Sequence, residues 1–377
     1  MDDAPPLTVT LSESPLASVL EAEWRDLESR ADVSFFTSWT WIGAWMRQLP
    51  ASLKPTLLRA TQGPRTVGLA LLMPRHARRL GVIGAKTLHL HATGDDGFDD
   101  ITLEYNGLVA DREASGRVTQ AFVRHLEGCR AWEELHLAAM RELPAGLAAM
   151  PGVRVSGRTR PSYLVDLAKV RARSDGYLAL LGQKPRYSVR RSLKACGRLG
   201  EVKLEVAEDL PTARRWLESL KHLHAQHWNA RGAGGAFATP FANAFHDDLL
   251  AAGMPRGEIQ MLRLRAGDEA VGYLYNFVHR GHVMTYQAGI HYALLPATDS
   301  PGMATHALAI EHNAARGHGV YDFMVGDQQY KRALATDTVD QHWIVLQRER
   351  VKFRIERALR ELRDRLRAGA TRKVAAA

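Results

Sequence analysis

The residues best suited to chemistry lie in and just after an apolar run in the last third of the chain. The run Val320–Val325 predicts a buried strand, and Asp322 stands inside it. A buried carboxylate is costly unless it is paired, so Asp322 is expected either to anchor the structure, paired with Lys331 or Arg186, or to take a proton from an amine. Tyr330 and Lys331 follow the strand end, where ligands of open α/β sheets gather. Alternatively, Tyr330 only packs against its neighbours and Lys331 is only solvated, and neither contacts a ligand.

A second pattern, Ser300-Pro301-Gly302, stands at the start of a predicted helix over Met303–Arg316. Ser300 can cap this helix, Pro301 suits its first turn, and Gly302 lets backbone N–H groups approach a ligand. Unpaired N–H groups and the helix dipole would then attract an anion. A plain helix start is the alternative interpretation.

The stretch Lys184–Arg198 carries a row of basic residues. They recur every fourth position on one face of a predicted helix, at Arg186, Arg190, Lys194 and Arg198. A one-sided cationic row suits phosphate groups, whether of a small molecule, a nucleic acid or an anionic lipid or glycan. A solvated charged face is the alternative, although the row contains no acidic residue to offset it.

The elements that must position these residues indicate a mixed α/β fold. In the first part of the chain, apolar periodicity predicts helices near residues 17–31, 39–46 and 114–126. It predicts strands at residues 56–60, 66–73, 87–91, 101–104 and 134–137. The tryptophans of the second helix are expected to be buried.

The second part begins after a Gly-, Arg- and Pro-rich stretch at residues 151–161, which predicts a domain boundary. A strand at 162–166 and a helix at 175–181 are expected next. Three antiparallel strands should then precede the Ser-Pro-Gly helix, at residues 258–265, 270–279 and 282–290. The expected domains are 1–160 and 161–345, followed by a basic amphipathic helix and tail at 346–377.

Composition narrows the function classes. The chain of 377 residues has 46% hydrophobic residues without an 18-residue apolar run, and its acidic N-terminus lacks the features of a secretory signal. We therefore expect a cytoplasmic protein. Cys129 and Cys196 form no paired motif, and His222, His224 and His227 do not have metal-ligand spacing, so neither a disulfide nor a metal is expected.

The net charge of +9 is concentrated in clusters, one of which is the tail. Apolar residues recur in the tail at near-helical spacing, at Val351, Ile355, Leu359, Leu362 and Leu366. This spacing predicts an amphipathic helix docked on the protein rather than a free arm. Contact between the basic tail and a membrane surface or a partner is a further hypothesis.

Five segments in a fixed order resemble those of a known family. They read WNARGAGGAF, GYLYNF, TYQAGI, SPG and GHGVYDFMVGDQQYKRALA. The series resembles the FemAB/CelD-like acyltransferases, a branch of the GNAT superfamily whose members often carry two tandem GNAT-like domains. It covers much of Pro185–Ala335, with weaker similarity in FFTSWTWIGAW and GDDGFDDITLEYNGLV, and YDFMVGDQQYK is its most specific element.

The resemblance implies an N-acyltransferase with two tandem GNAT-like domains, which moves an acyl group from acyl-CoA to a primary amine. The acceptor would be an amino sugar, a glycan precursor, an amino acid or another small molecule. The helix start would hold the donor's pyrophosphate through Ser300, Pro301, Gly302 and Met303. Arg186 and Arg190 would bind phosphate.

The remaining implied roles concern catalysis and the acceptor. Catalytic candidates are Tyr286, Asp322, Tyr330 and Lys331, with a tyrosine protonating the leaving thiolate. Acceptor-binding candidates are Glu104, Tyr105, Asn106, Trp228 and Arg231, of which the first three resemble a family segment near the interdomain cleft but could instead end a strand and cap a turn.

Two alternatives stay open. A FemAB-like transferase would use aminoacyl-tRNA, although the coiled-coil insertion of that branch is not evident in this sequence. A non-catalytic GNAT pair would serve as a scaffold in polysaccharide assembly.

Overall fold

A mixed β-sheet of 13 strands runs through the part of the chain that the computed structural model describes, residues 6–229, 235–296 and 298–374. Helices pack on this sheet, so the predicted mixed α/β fold is confirmed. Within these ranges, no helix combines the length and the apolar character needed to cross a membrane.

The first half of the chain supplies six strands and four helices among its described residues. The strands are β1 Leu7–Glu13, β2 Thr56–Gln62, β3 Arg65–Arg79, β4 Ile83–Leu90, β5 Val109–Ala110 and β6 Glu134–Met140. The helices are α1 Ala17–Ser29, α2 Trp39–Gln48, α3 Asp96–Asp99 and α4 Ser115–Gly128. The expected strand at residues 101–104 is wrong: this segment is irregular, with Thr102 and Tyr105 at positive φ.

The second half contains the remaining strands and helices. The strands are β7 Val153–Asp166, β8 Val202–Val206, β9 Ile259–Ala266, β10 Glu269–His279, β11 His282–Ile290, β12 Val320–Val325 and β13 Asp337–Arg348. The helices are α5 Leu167–Arg171, α6 Gln183–Gly197, α7 Leu210–Asn229, α8 Pro240–Gly253, α9 Pro301–Ala315, α10 Gln329–Leu334 and α11 Val351–Val374. The helix expected at 175–181 is a short 3₁₀ turn, Tyr177–Leu180.

The two halves repeat one topology. In the first, β1 to β4 are antiparallel neighbours, α4 follows, and β6 lies parallel to β4. In the second, β8 to β11 are antiparallel neighbours, α9 follows, and β12 lies parallel to β11. Four antiparallel strands, a helix and a parallel strand therefore occur twice.

The halves exchange a strand at the middle of the sheet. β7 follows the first half in sequence but pairs with β12, whereas β13 follows the second half but pairs with β6. β7 and β13 also pair with each other, from Val153 opposite Arg348 to Leu164 opposite Asp337. The boundary predicted at 160/161 falls inside β7, and the boundary predicted at 345/346 falls inside β13. Residues 153–161 are strand rather than linker because β13 supplies their hydrogen-bonding partners.

An aromatic core joins the halves. The ring of Phe35 stacks on that of Phe277 with centroids 4.3 Å apart, and Trp41 meets Phe245 edge-on at 4.8 Å. All four side chains are buried, as predicted for the aromatic face of α2. Aromatic pairs of this kind add to the stability that burial provides, so the halves share one packed interface.

Candidate functional site

A cavity of about 830 Å³ opens where β11 and β12 separate. The two strands pair only from His282 opposite Val320 to Met284 opposite Asp322. Beyond these pairs they diverge, and residues 285–288 of β11 and 323–325 of β12 line the two walls. On the β11 side the pairing with β12 stops at Met284, and an extended ligand could continue the sheet along this strand.

A bulge in β11 sets the position of Tyr286. In the pairing with β10, Gln287 lies opposite Tyr275 and Thr285 lies opposite Asn276, which leaves Tyr286 as the extra residue. Its ring lines the cavity, but its hydroxyl donates a hydrogen bond of 2.5 Å to the backbone oxygen of Ile101. This engagement suits Tyr286 to fixing the 101–105 segment against the cavity more than to giving up a proton.

The amino end of α9 forms one end of the cavity, through Ser300, Gly302 and Met303. Pro301 occupies the first turn as predicted. The expected side-chain cap by Ser300 is wrong: its side chain makes no capping bond, and its backbone N–H donates to Ser192 Oγ at 2.9 Å. The exposed start of a helix of this length is a site for an anion.

The glycine in this turn is not required by packing. A Cβ built at Gly302 would lie 3.6 Å from the nearest atom of Ile290, an ordinary contact distance. Lys184 and Ser188 of α6 line the same cavity and add a positive charge to it. The residues of α6 that were predicted to bind phosphate do not line this cavity. Arg186 donates to the carbonyls of Ala179 and Leu181, and Arg190 is exposed outside the cavity lining.

A buried carboxylate from the first half reaches this cavity in the second. Glu104 lines it, and its two oxygens accept the backbone N–H of Val325 at 3.1 and 3.0 Å. Gln341 of β13 donates to the same carboxylate at 2.9 Å. Burial, followed by the negative charge of Asp322, raises the pKa of Glu104, while Val325, Lys331 and Gln341 act to lower it. A carboxylate with a raised pKa is suited to take a proton near neutral pH.

Lys331 holds the end of β12 from the other side. Its Nζ donates to the carbonyls of Met324 at 3.1 Å and Val325 at 2.9 Å, and burial lowers the pKa of this ammonium group. Met324, between these groups, has a φ of 62°, an uncommon conformation for a residue with a side chain. Strain of this kind persists only where surrounding contacts enforce it, as Glu104 and Lys331 do here.

Asp322 lies behind the cavity wall and is fully buried. One oxygen accepts Ser162 Oγ at 2.9 Å and the backbone N–H of Met324 at 2.6 Å. The other accepts the hydroxyl of Tyr105 and contacts His282 Nε2 at 2.9 Å. With every oxygen engaged, Asp322 anchors the structure. Neither Lys331 nor Arg186 hydrogen-bonds to it, although the charge of Asp322 acts to raise the pKa of Lys331.

Tyr330 is the second tyrosine in the cavity. Its ring stacks on His306, with centroids 5.4 Å apart, and burial raises the pKa of its hydroxyl. His306 Nδ1 lies 2.9 Å from the Tyr321 hydroxyl, and burial lowers the pKa of this imidazole to about 3. The histidine is therefore neutral at pH 7 and orients Tyr330 without adding charge.

The remaining predicted residues divide between the cavity and the protein interior. Trp228 lines the cavity, together with His224, whose pKa burial lowers to about 4. Asn106 lies elsewhere, bonded to His91 Nδ1 and to the Leu90 carbonyl. Arg231 lies outside the described residues.

Lys184, Ser188 and His306 were missed as site residues. Lys184 belongs to the basic stretch that sequence reasoning did identify, but spacing alone favoured other members of it. His306 lies between Ala304 and Ala307 in an apolar-periodic helix, where a histidine is a signal that could have found it.

A smaller cavity of about 380 Å³ lies beside Glu28, Glu258 and His279, whose ligand-type atoms are all within 4.8 Å of one another. Three arginines, Arg25, Arg256 and Arg280, line the same space. Their charge opposes the binding of a cation, and the carboxylates already accept hydrogen bonds from the backbone of Trp39 and from Thr40.

Comparison with known proteins agrees with this geometry. Residues 183–332 match the family model described as an acetyltransferase (GNAT) domain, and this range contains both cavity walls and the amino end of α9. No curated protein sequence matches the chain.

Two solved structures share the fold over most of the chain. The crystal structure of FemX is similar with a TM-score of 0.55 and 9% identity, covering 89% of this chain and 96% of that one. The C-terminal domain of a lysylphosphatidylglycerol synthetase from Agrobacterium fabrum gives a TM-score of 0.54 and 12% identity, over 88% and 93% of the two chains.

Residues 183–332 are thus similar to a GNAT acetyltransferase domain, and the chain as a whole shares its fold with these two structures.

Proposed function

We propose that this protein transfers an acyl group from acyl-CoA to a primary amine within the cavity between β11 and β12. The observation that carries the proposal is that one cavity joins the amino end of helix α9 to a buried carboxylate with a raised pKa. A phosphorylated donor and a proton-losing acceptor require these two features together.

The donor would lie along the gap in the sheet. Its pyrophosphate would meet the backbone N–H groups at the start of α9, near Gly302, with Lys184 adding charge attraction. Its extended arm would follow residues 285–288 of β11 and deliver the thioester to the closed end of the gap, close to Glu104 and Tyr330.

The transfer then needs one base and one acid. The neutral amine nitrogen attacks the thioester carbonyl carbon, and the C–S bond breaks as the C–N bond is completed. Glu104 takes the proton lost by the amine, and Tyr330 gives its hydroxyl proton to the leaving thiolate, after which the two residues exchange the proton through solvent. Asp322, Lys331 and Gln341 act as positioning residues that hold Glu104 and the end of β12.

The acceptor would enter beside His224 and Trp228 of α7, which line the same cavity. An aromatic ring and a neutral imidazole suit the faces and hydroxyls of a sugar or a compact amine. We therefore propose an amino sugar, a glycan precursor, an amino acid or another small amine as acceptor.

A second candidate is an aminoacyl-tRNA donor. Arg190, Lys194 and Arg198 are exposed along α6, the helix whose amino end supplies Lys184 to the cavity. Such a row can follow a phosphate backbone.

Calorimetric titration with coenzyme A separates these cases when it is combined with two matched variants. Gly302 and Gly116 each occupy the second position of a helix, and each has room for a side chain. Gly302→Glu places a negative charge in the proposed pyrophosphate site, and we expect binding to weaken at least tenfold. Gly116→Glu should leave it unchanged.

Equal affinity of both variants for coenzyme A would remove α9 from the donor site. Absence of coenzyme A binding, together with RNA binding that weakens steeply with salt, would favour the tRNA-dependent function instead.

A further inference from the structure

Helix α11 turns an apolar row away from the protein. Val351, Ile355 and Leu359 recur every fourth residue, so they share one side of the helix. They are 71%, 52% and 49% exposed. The sequence-based expectation that the apolar row docks on the protein is therefore wrong for these three residues, and the side chains of Leu362 and Leu366 lie outside the described part of the chain.

An adjoining side of α11 makes the contact with the body of the protein. Phe353 and Glu356 are buried there. Lys352 reinforces the contact, since its Nζ donates to the Gly84 carbonyl at 2.6 Å and to Glu133 at 2.7 Å. The orientation of the helix is thus determined by specific contacts, and these leave its apolar row facing solvent.

A hairpin tip beside α11 adds two more exposed apolar side chains. Leu80 and Val82, the latter 84% exposed, lie in the turn between β3 and β4. Gly84 follows this turn and bonds to Lys352, and Arg79 precedes it and lies 3.7 Å from Glu356. The five apolar residues Leu80, Val82, Val351, Ile355 and Leu359 therefore occur at one corner, which we name the apolar corner.

Basic side chains surround the apolar corner. The exposed ones lie on the hairpin and on the first turn of α11, at Arg78, Lys86, Arg350 and Arg354. Nearby carboxylates are already paired, Glu133 with Lys352 and Glu134 with Arg79. Glu361 offsets one charge, so the surface keeps a positive excess.

We propose that the apolar corner docks the protein on an anionic membrane surface. An amphipathic helix with an apolar row and basic flanks binds at the boundary between lipid headgroups and acyl chains, where both parts are satisfied. A second copy of this chain is a poorer occupant, because it would bring the same basic rim against itself. Docking would place the acyltransferase next to lipid-linked or membrane-associated acceptors.

Flotation of the full-length protein with vesicles tests this proposal. We expect binding to vesicles of mixed phosphatidylglycerol and phosphatidylcholine, weaker binding in high salt, and little binding to phosphatidylcholine alone. The double variant Ile355→Asn and Leu359→Asn should lower the partition coefficient at least tenfold, since each apolar side chain contributes when it enters the bilayer boundary. Arg350→Gln with Arg354→Gln should lower it about tenfold on anionic vesicles only.

A matched control is available at the start of α1, where Leu16 and Val19 are also exposed apolar residues. Leu16→Asn with Val19→Asn should leave vesicle binding unchanged. Three results would overturn the proposal: no binding to anionic vesicles, equal loss in the Leu16/Val19 control, or a solution dimer that the Ile355/Leu359 variant converts to a monomer. None of these results bears on acyl transfer itself, which is measured separately with soluble substrates.

Discussion

The two halves of this protein share a topology, yet among the residues that the structure describes, a large cavity opens where the parallel strands separate in the second half and not in the first. In the second half, β11 and β12 diverge and leave a gap that leads to the start of α9. In the first half, the corresponding strands are β4 and β6, which also pair over three positions, from Thr87 opposite Glu134 to His89 opposite His136. The chain itself fills the gap that follows them.

Asn106 is the residue that fills it. Its backbone N–H donates to the Ala139 carbonyl at 3.0 Å, beyond the end of the pairing on the β6 side. Its side chain bonds to the Leu90 carbonyl and to His91 Nδ1, each at 2.9 Å, on the β4 side. A side chain thus occupies the position where the second half would receive its donor.

The starts of the corresponding helices, α4 and α9, also differ in whether the protein itself occupies them. The turn before α4 begins with Asp111, a buried carboxylate that accepts the backbone N–H of Glu113 and pairs with Arg30 and Arg65. The protein therefore supplies its own anion at this helix start. At α9, the Ser-Pro-Gly start faces the cavity. One repeated fold is thus closed by its own side chains in one half and left open in the other.

Replacing Glu104 by Gln should break the proposed chemistry most strongly. The amide keeps the size and a hydrogen bond to Val325 but cannot take a proton, so we expect turnover to fall about 10²- to 10⁴-fold with little change in the affinity for the acyl donor. Steady-state kinetics with a thioester substrate measure both effects. A Gln variant with wild-type turnover would exclude Glu104 as the base.

The pH dependence of turnover sharpens this assignment. Because the pKa of Glu104 is raised, the base is protonated and inactive at acidic pH, and turnover should rise with pH through a range above that of an ordinary glutamate. The residual activity of Glu104→Gln should lack this acidic limb. A limb that persists in the variant would belong to another group.

Tyr330→Phe should lower turnover about ten- to a hundredfold while the melting temperature stays close to that of the wild type. Tyr286→Phe is the matched comparison in the same cavity. Its hydroxyl already bonds to the Ile101 carbonyl, so its loss should cost about 1 kcal/mol of stability and leave turnover within a few-fold of wild type. If instead Tyr286→Phe lowered turnover and Tyr330→Phe lowered only stability, Tyr286 would be the acid and Tyr330 the structural residue.

Glu134, at the strand pair of the first half, provides the structural counterpart of Glu104. Burial acts to raise its pKa, but hydrogen bonds from His136, Gln347 and Arg79 together lower the pKa to about 2. A lowered pKa means that the ionised form contributes stability at neutral pH, and that this contribution is lost as pH falls below about 4.5 toward 2.

Glu134→Gln should therefore reduce the free energy of unfolding at pH 7 by about 2 kcal/mol, since it removes the nearer of the two carboxylates beside Arg79. The difference from wild type should shrink in acid. Denaturant unfolding at several pH values measures this, and turnover of the folded variant should be unchanged. A difference that grew as the pH was lowered would contradict the assignment.

The sequence predicted those parts of the fold that depend on local pattern. The meander β9–β11, the helix α9 and the strand β12 follow from alternation, apolar periodicity and Gly or Pro punctuation, and all are present. The exchanged strand β13 was not predicted. Its partner is β7, which lies about 180 positions earlier in the sequence. The exposed, Arg-rich segment 153–160 of β7 lacks the regular alternation of apolar residues that predicts a strand.

The sequence likewise predicted those features of the candidate site that depend on local pattern, and not those that depend on long-range packing. Family resemblance drew attention to Glu104, but its raised pKa depends on burial and on Asp322, which lies more than 200 positions away in sequence. Regular spacing placed Arg186 on a phosphate-binding face, whereas its guanidinium caps the carbonyls of Ala179 and Leu181. Spacing gives the side of a helix, but only packing decides which long side chain reaches a ligand.

Asn106→Ala should produce the smallest change, and it tests the closed gap directly. The substitution removes the bonds to Leu90 and His91 but keeps the backbone bond to Ala139, so we expect unfolding to become easier by about 1 to 2 kcal/mol. The effect on turnover should be indirect and less than tenfold, because Asn106 lies two residues from Glu104 without lining the cavity. Thermal unfolding and turnover measured on the same preparation separate the two effects.

Coenzyme A binding to a second site in Asn106→Ala, with a stoichiometry of two, would show that the first half retains a donor site that this side chain blocks. A stoichiometry of one would mean that the first half has become structural through more than one residue, with Asp111 at the start of α4 as the next residue to change.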